Sequence, residues 1–345
     1  MSDYFFGLTP DRVLQAVERA DLRPTGHCTP LMCLENRVYD VRLEDGVHVV
    51  VKFYRPGRWS REAILEEHGF LADLQAADIP VCVPRPLAGG ETLLAIGDIH
   101  YAIWPRTGGR TRDELDDEAI AVLGRLLARI HNVGATRGAA ARPELDADNR
   151  VLEPLRVLED GFLPPSCIRR YAASAREIAS LYAERSAAVP RHRIHGDCHV
   201  GNLLLSDAGW CFLDFDDFVT GPAAQDVWML LPGRDREGQR QRAVLLDAYR
   251  QFREFDDRWL ELVELLRGMR FVWYAAWIAR RFQDPAFPDA FPHFGSESYW
   301  DRETRDLEEQ LERVMGGDAS AEEGPTGAVA EAPPELTNKD FFWDL

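Results

Sequence analysis

Apolar positions alternate along residues 37–43 and 47–54, on either side of Glu44-Asp45-Gly46. A period of two around an acid–glycine turn predicts a β-hairpin. Upstream, TPDRVLQAVERA predicts a helix over 9–20, with Thr9 as its cap and Pro10 at the first helical position. Downstream the apolar spacing becomes helical over 61–77, where Ala63, Leu71 and Leu74 share a stripe. Short strands are expected near 85–95 and 99–104, the second ending at Trp104-Pro105.

After Gly108-Gly109 helical spacing dominates, over 116–132, 168–188, 239–255 and 257–282. Between them, 194–215 holds two short apolar strands around Ser206-Asp207-Ala208-Gly209. The pattern is α+β: a small strand-rich lobe over 1–106, a hinge near 104–110, and a larger, mostly helical lobe over 107–315. Gly316-Gly317 ends the last helix, and 316–345 is rich in Gly, Ala, Pro and acid. That composition predicts a disordered or loosely docked tail, with Phe341-Phe342-Trp343 as the docking point.

Charge narrows the partners. A formal net charge of −18 lacks the basic excess that tracks phosphate backbones, so nucleic acid is not the expected partner and a cationic one suits better. Arg267, Arg270, Arg280 and Arg281 interrupt the longest apolar helical stretch, Leu260 to Phe282, so no membrane span is expected. The six cysteines form no C-x-x-C pair, and MSDYFFGLTPDRVLQ lacks the pattern of a signal peptide. A cytoplasmic monomer with reduced thiols is expected.

The chemistry concentrates in IHGDCHVGNLLLSDAGWCFLDFDD, residues 194–217. Asp197 stands five residues before Asn202. In a loop, that pair lets the Asp accept or orient the proton of an attacking hydroxyl while the Asn holds a metal. The hairpin then delivers Asp214 at the end of an apolar run, where a carboxylate can ligate Mg²⁺ bridging nucleotide phosphates. Singly, each of these residues is a turn former; their order around a hairpin favours the chemical reading. A zinc site from His195, Cys198, His199 and Cys211 matches no usual spacing.

Lys52, inside the strand VVVKFY, is a candidate for the nucleotide phosphates, against the alternative of an edge-strand lysine. Glu67 lies on the apolar stripe of the 61–77 helix, where an unpaired carboxylate is costly, and Lys52 is its natural partner. Glu66 points elsewhere. No G-x-G-x-x-G or P-loop occurs; residues 26–39 carry a single glycine, so backbone N–H groups near Cys33–Asn36 would have to cradle phosphate. Trp104 to Arg106 has the character of a hinge reading the adenine edge.

HGDCHVGN followed by FLDFDD resembles the aminoglycoside phosphotransferase/choline kinase-like superfamily. With CLENRVYDV, VVVKFYRPGRWS, ILEEHGF and LRGMRFVWYAAWIARRFQDPAFP, the chain over about 5–315 resembles more closely the bacterial stress response kinase A group. The resemblance implies a protein-kinase-like fold and a kinase using ATP and Mg²⁺. It implies Asp197 as catalytic proton acceptor, Asn202 and Asp214 as Mg²⁺ ligands, and Lys52 with Glu67 as the phosphate-binding pair. It also implies a serine/threonine protein kinase of the stress response, acting on a protein substrate. The family's nucleotide loop has serine where this chain has Cys33, and a thiol is a poor donor. A small-molecule kinase of the same superfamily is the alternative reading, and a nucleotide-sensing module without catalysis the other.

Overall fold

The computed structural model describes residues 5, 7–112 and 114–316. The expected Phe341–Trp343 docking point and all of the acidic tail beyond Gly316 lie outside the described residues.

Helix α1 (Pro10–Glu18) starts as anticipated: the Thr9 hydroxyl accepts from the Arg12 N–H, and Pro10 fills the first turn. Strands β1 (Pro24–Leu31), β2 (Arg37–Leu43) and β3 (His48–Phe53) follow, then helix α2 (Arg61–Ala76), β4 (Leu94–Ile96) and β5 (Ile99–Pro105). The five strands make one antiparallel sheet in the order β1-β2-β3-β5-β4.

Alternation along β3 gives the sheet two jobs. Val49, Val51 and Phe53 pack with Val13, Ala16 and Val17 of α1. Val50 and Lys52 therefore point to the opposite face. Cross-strand pairing puts Asp40 and Trp104 beside Val50, and Val38 and Ala102 beside Lys52, on that same face.

The larger lobe contains α3 (Asp117–Gly134), α4 (Glu153–Glu159), α5 (Ile168–Ser186), β6 (Arg191–Ile194), β7 (Leu203–Ser206), β8 (Gly209–Phe212) and β9 (Val219–Pro222). It ends with α6 (Ala224–Leu230), α7 (Arg236–Tyr249), α8 (Val263–Arg281), α9 (Ala286–Ala290) and α10 (Glu297–Gly316). β7 and β8 form the expected hairpin; β6 pairs with the later β9, so the two carry between them everything from His195 to Phe218. At the hinge, Arg110 and Leu205 exchange both backbone hydrogen bonds, at 3.0 and 2.9 Å. A single apolar core runs from Ile64, Phe70 and Leu71 of α2 into Leu123 and Leu127 of α3.

The α+β, two-lobed arrangement read from the pattern is the one observed. Two local expectations differ. β1 was not anticipated, because Pro24, Gly26 and Pro30 interrupt a largely exposed edge strand that has no apolar alternation. The strand expected over 85–95 shrinks to β4, since Pro84 and Pro86 remove donors and the Gly89-Gly90 turn follows. No helix among the described residues is long and apolar enough to cross a membrane.

β6 carries a titratable group in the core. His192 is buried, neither ring nitrogen has a hydrogen-bond partner, and its ring lies 4.9 Å from that of His131. Burial pushes its pKa down to about 2. As pH falls below about 6.5 the unfolded chain takes up a proton that the folded one refuses, so stability is lost toward acid. At pH 5 the loss from this residue is about 2 kcal/mol relative to pH 7.5. Chemical denaturation of His192→Leu at the two pH values is expected to show a pH dependence smaller by that amount. An unchanged difference between the two pH values would mean that His192 is protonated in the folded protein.

Candidate active site

The loop after β6 is shaped by its backbone. Gly196 adopts φ +83°, and a Cβ there would collide with the Asp217 carbonyl, so no other residue fits without displacing that segment. Asp226, at the start of α6 and fully buried, accepts from the backbone N–H of His195 and of Gly196, both at 2.8 Å. It also accepts from Nε2 of His131 at 3.0 Å, and Nδ1 of His131 meets the Tyr249 hydroxyl at 2.8 Å. Nε2 of His195 donates to the Leu213 carbonyl at 2.8 Å, tying the loop to the hairpin's far end.

Asp197 sits partly exposed at the head of this loop. Its Oδ1 pairs with Nη1 of Arg270 at 3.0 Å, and its Oδ2 lies 3.4 Å from Nε2 of His199. Nδ1 of His199 accepts the Gly201 N–H at 3.1 Å, so Nε2 carries the ring proton and faces the carboxylate. Burial would raise the Asp197 pKa, but Arg270 and His199 outweigh it and hold the carboxyl well below its usual range. Asn202 closes the turn, its Nδ2 donating to the Asp197 carbonyl at 2.9 Å. With Nδ2 committed, the Oδ1 oxygen is the one left for a ligand. The Leu213 N–H donates to the Asn202 carbonyl at 2.9 Å, bringing Asn202 alongside Asp214.

Asp214 has a left-handed backbone, φ +51°, which is costly for a residue other than glycine, and its side chain is half exposed. Its Oδ1 lies 3.1 Å from Nζ of Lys52. Lys52 also has Asp216 Oδ1 at 3.2 Å and Glu67 Oε1 at 3.6 Å. Burial alone would lower the lysine's pKa; the three carboxylates reverse this and hold it well above normal. Glu67, fully buried as its place on the stripe required, is raised by burial to about 7 against the pull of Lys52. Its partnership is shared: Arg142 Nη2 reaches Oε2 at 3.3 Å. Glu66 does point elsewhere, accepting the Ala141 N–H at 3.0 Å.

Asp216 is more deeply embedded than Asp214. Arg58 pairs with it, and Nδ2 of Asn36 donates to its Oδ2 at 3.1 Å. Burial opposes its ionisation, but Lys52, Arg58 and Arg142 keep its pKa well below normal. Asn36 belongs to the β1–β2 loop, whose neighbour Glu35 accepts from Nε1 of Trp277 at 2.7 Å and pairs with Arg281 at 2.8 Å, both on α8. That loop buries Cys33, and burial, with the nearby Asp214 carboxylate adding to it, raises the thiol's pKa. Cys33 is therefore a neutral thiol, accepting the Asn36 N–H at 3.4 Å. Trp104 packs edge-on against His68, centroids 5.7 Å apart, with its ring 5.9 Å from Nζ of Lys52. Arg106 turns onto the sheet, Nε 2.9 Å from Oδ2 of Asp40, so its guanidinium is not directed at the Lys52 cluster.

Asn202 and Asp214 offer an amide oxygen and a carboxylate, hard donors that suit Mg²⁺ sharing its other positions with phosphate and water. The residues weighed for zinc are used otherwise: His195 is tied to Leu213, and burial raises the thiols of Cys198 and Cys211. Among the described residues no group of three or more His, Cys, Asp or Glu is placed to hold a metal.

Sequence reasoning missed Asp226, Arg142, Arg58 and Asn36 as parts of this site. Asp226 left a signal, a lone acid inside the apolar run AAQDVWMLL. The arginines come from loops with no period to betray them.

A small sheet lobe over a helical lobe, with Lys52 facing a loop-hairpin-loop, has the parts that phosphoryl transfer uses. The chain belongs to the phosphotransferase enzyme family, whose model matches residues 33–263, and within it to the stress response kinase A group; it is an ATP-dependent kinase. It is 40% identical over 308 residues to the stress response kinase A of Escherichia coli (strain K12), covering 89% of this chain and 93% of that one. It is likewise 40% identical over 311 residues, with the same coverage, to the serine/threonine protein kinase RdoA of Salmonella typhimurium. Among solved structures it resembles the amicoumacin kinase hAmiN in complex with AMP-PNP, Ca²⁺ and Ami, with a TM-score of 0.68 and 20% identity over 89% of this chain and 93% of that one. A microcompartment-associated aminopropanol kinase gives 0.67 and 18%, covering 89% and 98%.

Proposed function

We propose that this enzyme transfers the γ-phosphoryl group of ATP to a serine or threonine hydroxyl of a protein in the cytoplasm. The observation that carries the reading is that Asn202 is bonded to the Asp197 carbonyl and to the Leu213 N–H, next to Asp214, whose Oδ1 lies 3.1 Å from Nζ of Lys52. Asp197 orients the acceptor hydroxyl and takes its proton. Lys52, held charged, binds the nucleotide phosphates, and Glu67 with Asp216 fixes its position. Asn202 Oδ1 and Asp214 would hold Mg²⁺, which when bound would neutralise charge on the phosphate oxygens. Val38, Val50 and Ala102 offer adenine an apolar roof next to the Trp104–Arg106 backbone.

Incubating the purified protein with labelled ATP, alone and with cell lysate, is expected to label serine or threonine on protein. Asp214→Ala is expected to shift the Mg²⁺ dependence of ATP binding to higher metal concentrations. Asp216→Asn instead lowers stability, because Asp216 is buried among Lys52, Arg58 and Asn36. Wild-type metal dependence in Asp214→Ala would move the ligand elsewhere in Asp-Phe-Asp-Asp. A cleft of about 520 Å³ beside Asp217 supports a second reading, a small-molecule kinase, since ligand sites of that size are common. ADP release across a panel of small alcohols, set against release with protein substrate, separates the two.

A further inference from the structure

The cleft beside Asp217 has a charge opposite to that of the chain. Five arginines and only two carboxylates line it, in a protein of net charge −18. Four of the five are already balanced. Arg55 pairs with Asp284 at 2.9 Å, Arg58 with Asp217 at 2.6 Å, Arg281 with Glu35 at 2.8 Å, and Arg280 with Glu153.

The fifth is Arg150. It lies in a π-helical turn, residues 148–152, that runs into α4; such wide turns are frequent at functional sites. Its guanidinium rests over the Trp273 ring at 4.9 Å. Among the described residues no carboxylate is within ion-pair reach of it. Asp217 and Asp197 attract it from a distance, but they are bonded to Arg58 and Arg270. A half-buried guanidinium without a counter-ion is costly, and here Arg270 and Arg58 crowd it with more positive charge.

Its place ties that excess charge to the chemistry. Arg150 borders the 520 Å³ cleft, and it also lines a small cavity shared with Gly196 and Arg270, the residues that flank and hold Asp197. An acceptor hydroxyl presented to Asp197 from the cleft would carry its neighbouring groups past Arg150. A guanidinium stacked on an indole keeps its outer N–H groups aimed outward, in the fork that matches carboxylate and phosphate oxygens.

We propose that Arg150 receives a carboxylate or phosphate that the acceptor carries next to its reacting hydroxyl, so that this kinase selects acidic acceptors. The inference rests on the reading of Asp197 as the residue that meets the hydroxyl. It runs against the cationic partner suggested by net charge, because local pairing and not the total decides what a cleft attracts.

The test uses the full chain and two arms, which separate the two sources of such an anion. One arm is a set of serine peptides identical except for Glu, Ala or Lys beside the serine. The other is a set of small hydroxy acids, each matched with its uncharged alcohol. The wild type is expected to favour the acidic member of one arm by about tenfold or more in kcat/KM, the scale of one close charge pair. Arg150→Gln is expected to abolish the preference through KM for the acceptor, Arg150→Lys to restore part of it, and Arg150→Glu to turn it toward the Lys peptide. Melting curves identify any variant that misfolds, and Arg150→Lys keeps the test open in that case. Transfer without charge preference, or an effect of Arg150→Gln on the KM for ATP in place of the acceptor, overturns the inference while leaving the kinase reading intact. No transfer to any member of either arm removes the reading of the Asp197 site, and this inference with it.

Discussion

Asp197→Asn is expected to lower phosphoryl transfer by about 10²–10⁴-fold, the usual consequence of losing a positioned base, while nucleotide binding persists. Both carboxylate oxygens are in use, one on Arg270 at 3.0 Å and one near His199 at 3.4 Å. The amide keeps the shape and one acceptor but sets an N–H₂ against one of two donors. A modest loss of stability should accompany the loss of rate. Because Arg270 and His199 hold the Asp197 pKa well below normal, this group stays ionised at every working pH. A base so weak removes little proton early in the reaction; its main contribution is orientation, which fits a loose transition state with late proton transfer. Single-turnover assays at saturating ATP, with a separate nucleotide titration, check the prediction. Near-normal turnover in the variant would remove Asp197 from the chemistry.

Asp226→Asn is expected to cost about 2–4 kcal/mol and to lower activity at least about tenfold, although Asp226 lies beneath the loop and touches no reactant. Its two oxygens serve three donors: the N–H groups of His195 and Gly196 and Nε2 of His131. The asparagine replaces one acceptor with a donor that faces another donor in a fully buried place. Gly196 precedes Asp197 and cannot shift without moving it. A cost of that size is a large share of the stability of an ordinary domain. Thermal melting and kcat measured on the same preparation check both halves. Retained melting temperature with lost activity would make Asp226 purely a positioning residue; retention of both would mean that Gln225, which donates to the Gly196 carbonyl at 3.1 Å, holds the loop alone.

How much of this could be read from the chain depends on whether a residue's role is periodic. The faces of β3 follow from alternation, so the side of the sheet that bears Lys52 is fixed by Val49, Val51 and Phe53. The burial of Glu67 follows from helical spacing in the same way. Asp197, Asn202 and Asp214 were recognisable because a loop and a hairpin fix their separation. Of the partners of Lys52 only Glu67 was: Asp214 and Asp216 lie closer to it, through a turn whose left-handed residue no pattern announces. Arg270 and Arg281 carry a second signal. Their charge on an apolar helix excluded a membrane span, yet the same oddity marks positions that must find carboxylates, here Asp197 and Glu35. Arg58 and Arg142 come from loops, where sequence distance says nothing about spatial distance.

The β1–β2 loop bears on how such enzymes diverge. Glu35 reaches across to Trp277 and Arg281, and Asn36 to Asp216, while the apolar core of α2 continues into α3. The small lobe is thus not a module to be traded between relatives. A chimera joining it to another large lobe would strand a buried carboxylate on one side of the seam and cations on the other. Arg281 and Trp277 depend on Glu35 across the seam, whereas Glu35 also keeps Arg55 and Arg58 of its own lobe, so recombination at the seam weighs most on the large lobe.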